Sequence, residues 1–177
     1  MITLSPALLV AAASSLVGAE PTYDSALVDL FLREVRQPPG QPWSAAFVHH
    51  VGFWSHYDHR IARSTWPLPA TASCLELGEF ARVRGALKRE PSVGDVFLEY
   101  TPALKRFIHA GIIVSLDGAR ATPHGDTRFV CTTVEGRANA VNPRESRIAL
   151  VRARHFSSIG GDRFIRWADL ELRAAAA

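Results

Sequence analysis

The chain has 177 residues, 47% of them apolar, with 20 Lys and Arg against 17 Asp and Glu for a net charge of +3. That length supports one sizeable core and predicts a single domain over residues 1–177. The positive charge is scattered and lacks interleaved aromatic residues, which speaks against a nucleic-acid partner, although Arg144, Arg147, Arg152, Arg154, Arg163 and Arg166 crowd the last third.

The opening segment Met1 to Val17 is apolar, but no basic residue occurs before Arg33, so it does not read as a signal peptide. Ser5 and Pro6 suit the start of a helix and Gly18 its end. No stretch is long and apolar enough to span a membrane. A second helix is predicted over Asp24 to Val35, where Leu27, Leu30, Phe31 and Val35 share one face. Three prolines and a glycine between Gln37 and Pro42 then force a turn. Behind that turn a buried central helix is predicted from Trp43 to Val51, and another from Ser73 to Gly85. From there the period changes to that of strands, at Val96 to Tyr100, Ala110 to Leu116, Arg128 to Val134 and Ile148 to Arg154. Helices followed by strands with hairpin-like connections predict an α+β domain on an antiparallel sheet.

Three positions supply the parts of nucleophilic hydrolysis. Ser44 opens the helix after the proline-rich turn, where backbone amides and the helix dipole favour an attacking anion. His109 heads a strand and serves as base, and Glu135 closes the next strand as its orienting partner. Read singly, Ser44 is a helix cap, His109 a core histidine and Glu135 a turn residue; their joint occurrence is the signal. Cys74 and Cys131 lie far apart in no metal-ligand spacing, so they predict neither a disulfide framework nor a zinc knuckle, and both are expected in the core. His49, His50, His56 and His59 with Asp58 read as a polar groove wall rather than a metal site. Trp43, Trp54 and Trp66 are expected as core or groove lining. No metal and no cofactor is implied.

The segments 39–48 (PGQPWSAAFV), 93–97 (VGDVF), 109–114 (HAGIIV) and 134–136 (VEG) resemble those of CHAP amidases and the related NlpC/P60 domains, and nearly the whole chain takes part in the likeness. The resemblance implies a papain-like fold with N-terminal helices packed on an antiparallel sheet, and a substrate among the amide bonds of peptidoglycan peptides. It implies action at the cell wall where that substrate applies. Ser44 stands where the family has its nucleophilic cysteine, and Arg137 where it usually has asparagine. A hydroxyl must lose its proton during attack and needs a better aligned base than a thiol does. The leading expectation is therefore an amidase or endopeptidase-like hydrolase with Ser44, His109 and Glu135 in the catalytic positions, weak or inactive, and with Trp43 and Arg137 on the substrate side. The alternative is a non-catalytic module that binds peptidoglycan peptides or another protein. Arg137 is expected to pair with Glu135 two residues away. Oligomeric state is not legible.

Overall fold

The computed structural model describes residues 5–18, 26–60, 62–137 and 147–170, with Arg137 and Arg147 described in backbone only. Helix α1 (Pro6–Ser15), α2 (Ala26–Glu34), α3 (Ser44–Ser55) and α4 (Cys74–Val83) precede most of the strands. A two-stranded antiparallel ribbon, β1 (Tyr57–Asp58) and β2 (Arg63–Ser64), lies between α3 and α4. The main sheet contains β3 (Leu87–Lys88), β4 (Val96–Thr101), β5 (Arg106–Ala121), β6 (Thr127–Arg137), β7 (Arg147–Ser157) and β8 (Arg163–Ile165). Its order is β3-β8-β4-β5-β6-β7, with every pairing antiparallel. The α+β arrangement of helices before an antiparallel sheet agrees with the sequence pattern.

The helices begin and end where the chain chemistry directs. Pro6 occupies the first turn of α1, where its missing N–H is no loss. Ser73 caps α4 by accepting the Glu76 N–H at 3.2 Å. The second helix starts at Ala26, and the part of its expected range before that lies outside the described residues. The strands run longer than the apolar stretches suggested: β5 covers 16 residues. Polar and charged residues at its far end, from Ser115 onward, are half-buried or exposed and so carry no apolar signature.

Alternation along the strands sorts the side chains onto two faces. Val96, Leu98, Ala110, Ile112, Val134, Ile148 and Ile165 join the core built with the four helices. Phe97, Ile113, Phe129, Cys131, Phe156 and Phe164 form a second cluster on the opposite face. Phe97 of β4 and Phe156 of β7 lie 5.5 Å apart between ring centroids although two strands separate their own. In a flat sheet three strand spacings would hold them about 14 Å apart. The sheet therefore curls, with the phenylalanine cluster on its concave face and the helices on its convex one.

Gly94 ties α1 to this sheet. It has φ +84°, a region costly for other residues, and a Cβ there would lie 2.4 Å from Pro6. Its carbonyl accepts the Trp167 indole N–H at 2.7 Å. The next residue, Asp95, is buried and bonded by the Ser92 N–H and by Arg166. Burial outweighs those bonds and pushes its carboxyl up to about 6. Between the ordinary carboxylate range and pH 6 the folded state thus binds more protons here than the unfolded chain. The stability Asp95 contributes is present in acid and is lost as pH rises through 6. Wild type should gain on Asp95→Asn by on the order of 2 kcal/mol between pH 7 and pH 4, measured by urea unfolding of both proteins at each pH.

Candidate functional site

The proline-rich turn delivers the chain to α3 through Trp43, which is buried against Phe31 and Phe47 at 6.0 and 6.5 Å between ring centroids. On its sheet side Trp43 sits over Gly136, where an added Cβ would come within 2.3 Å of the indole. Close packing of the helix start on β6 thus needs glycine at 136. It also holds Ser44, the first residue of α3, on the helix-covered face of the sheet.

The partner of Ser44 is Cys74, at the first turn of α4, with Oγ and Sγ 3.6 Å apart. Burial pushes the Cys74 thiol up to about 11 against the lowering effect of the Ser44 contact. At neutral pH it is a thiol, and neither side chain of the pair supplies a base. Among the described residues no hydrogen bond joins Ser44 to His109.

His109 and Glu135 do meet. They project from β5 and β6 and are joined at 2.9 Å between Nε2 and Oε2. Alternation fixes their side of the sheet. Ala110 and Val134 enter the helix-side core and Gly136 meets Trp43, so His109 and Glu135 point the other way. The His109 ring packs on Phe97 of the concave cluster at 5.8 Å. The sheet backbone therefore lies between the Ser44–Cys74 contact and the His109–Glu135 pair.

Glu135 is fully buried and heavily bonded. Burial alone would raise its carboxyl, but the His109 bond, the Arg154 charge and the Thr133 hydroxyl hold it below the usual carboxylate range. Thr133 donates to Oε1 at 2.5 Å, and Arg154 Nη1 lies 3.1 Å from the same oxygen. Because Glu135 is ionised, His109 Nε2 donates to it, which fixes the ring. The other end of the Arg154 guanidinium bonds Glu99 at 2.5 Å, and its carbon stands 4.6 Å above the Phe97 ring. One arginine thus bridges two carboxylates over an aromatic floor.

Arg154 is the residue that sequence reasoning missed at this site. Thr133 pairs with Val151 and Cys131 with Arg154, so β7 has one extra residue there, and Ala153 takes φ +53°. That bulge reverses the alternation of β7 and turns Arg154 onto the concave face. No spacing rule reveals such a reversal. The backbone of Arg137 continues β6 beside Gly136, while its expected side-chain pairing with Glu135 lies outside the described residues. Cys131 joins the concave cluster and is buried.

Of the histidines expected to line one wall, His49, His50 and His59 are linked through ring contacts with Phe53, Trp54 and Tyr57, and His56 alone turns inward. His56 is buried between Trp66 and Trp167, whereas His50 bonds Glu34 at 2.8 Å. Glu34 also accepts the Trp54 indole N–H, so Trp54 stands at the surface while Trp43 and Trp66 are buried. Among the described residues no group of histidine, cysteine and carboxylate side chains could hold a metal ion.

A pocket of about 480 Å³ opens beside Ser44, between the turn at Pro42, the start of α4 at Cys74 to Glu76, and the start of β5 at Arg106 to Ile108. Cys74 forms part of its wall, with Ser44 behind it. No family model, curated protein or solved structure matches the chain.

Proposed function

We propose that the chain is a papain-like module of the CHAP and NlpC/P60 type that binds a peptidoglycan peptide, or a peptide of similar chemistry, without cutting it. The order of helices and strands, the abrupt helix start at Ser44 and the pairing of His109 with Glu135 on adjacent strands support the scaffold. One observation carries the choice of binding over hydrolysis. Ser44 contacts a protonated thiol on the helix face, while the His109–Glu135 pair faces the concave side of the sheet. A serine nucleophile needs a base within hydrogen-bond reach of its hydroxyl. An amidase using Ser44, His109 and Glu135 would require the sheet and α3 to rearrange.

A fluorescently labelled cell-wall stem peptide, titrated with the purified protein, tests the binding half of this reading. Saturable polarisation that unlabelled peptide reverses is the expected result. An unchanged signal up to millimolar protein contradicts it.

A further inference from the structure

The pocket beside Ser44 is lined by one carboxylate and one guanidinium, and what each has left to bind says which part of a ligand it holds. Its carboxylate, Glu76, is already engaged, because Oε2 accepts the Thr71 hydroxyl at 2.6 Å. Its cation, Arg106, has no carboxylate partner among the described residues and lies at the start of β5, exposed at the pocket edge. By contrast, the half-buried Arg154 is matched by Glu99 and Glu135, and the half-buried Arg166 by Asp95. Two aliphatic side chains flank the opening, Leu75 at 52% and Ile108 at 44% exposure. Gln37 and Gln41 supply amides on the facing loop.

Resting on the peptide-binding reading above, we propose that this pocket captures a peptide by a free carboxylate, with Arg106 as its anchor. A guanidinium fork meets a carboxylate through two parallel hydrogen bonds, which a neutral amide cannot match. Leu75 and Ile108 then cover an aliphatic side chain of the ligand, and the glutamine amides bond its backbone. The ligand class is a short peptide with at least one free carboxylate and a small apolar side chain. Neutral glycan and fully amidated peptides are discriminated against.

The test uses one stem tetrapeptide in two forms, with all carboxylates free and with all of them amidated, against wild type, Arg106→Gln, Arg106→Lys and the distant exposed control Arg120→Gln. Amidation and Arg106→Gln should each weaken binding about tenfold, without adding to one another. Arg106→Lys should retain part of the affinity, Arg120→Gln all of it, and rising salt should erode the preference for the free form. Equal binding of both peptide forms, or an effect of amidation that persists in Arg106→Gln, overturns the anchor and leaves the peptide-binding reading standing. Failure of both forms to bind overturns the two together.

Discussion

Arg154→Ala should lower the unfolding free energy by about 3–5 kcal/mol, because it leaves Glu135 charged, buried and without the Arg154 guanidinium. Few interior substitutions away from the main core would do as much. The guanidinium spans two carboxylates and lies over Phe97, so its removal strips charge, hydrogen bonds and packing at once. Arg154→Lys restores the charge but reaches both acids less well, and an intermediate loss is expected. Glu99→Gln should matter far less, since Glu99 is 40% exposed and water can replace its partner. Urea unfolding of the three variants gives the ranking directly. An Arg154→Ala loss below about 1 kcal/mol would mean that the concave network does not hold the sheet curled.

The second large effect belongs to the contact between Trp43 and Gly136. Trp43→Ala empties a site walled by Phe31, Phe47 and β6, and a loss of about 3–5 kcal/mol follows from the cavity. Gly136→Val fails for the opposite reason, as its side chain would enter the volume of the indole. The pair makes a sharper test than either single change. In the double variant the valine occupies space that the indole vacated, so the combined loss should fall short of the sum of the two by more than 1 kcal/mol. Strict additivity would place Trp43 away from Gly136 and loosen the argument that α3 is fixed against β6.

How far these features could be read from the chain depends on how local their causes are. The proline-rich turn, the apolar run after Trp43, the Ser73 cap and the β-branched runs announce themselves within a few residues, and the α+β order follows from them. His109 and Glu135 were legible as a pair because each lies within a recognisable strand. The face from which they project was not. It depends on the registers of β5 and β6 and on the packing of Gly136 against Trp43, which join residues 93 positions apart. Arg154 was hidden by the bulge at Ala153, and Cys74 by a contact between two helix starts 30 residues apart. In each case the missing information is a register or a docking geometry, to which no single segment of sequence is sensitive.

The separation of Ser44 from His109 carries the functional account, and prolonged incubation with substrate tests it most directly. Wild type and Ser44→Cys would each be held with a cell-wall stem peptide and its cross-linked dimer, and the mixtures followed by mass spectrometry. The account predicts intact peptide with both proteins, because a better nucleophile at position 44 still has no base beside it. Cleavage by either protein that disappears on His109→Ala would contradict it, and would show that Ser44 and His109 come together in solution.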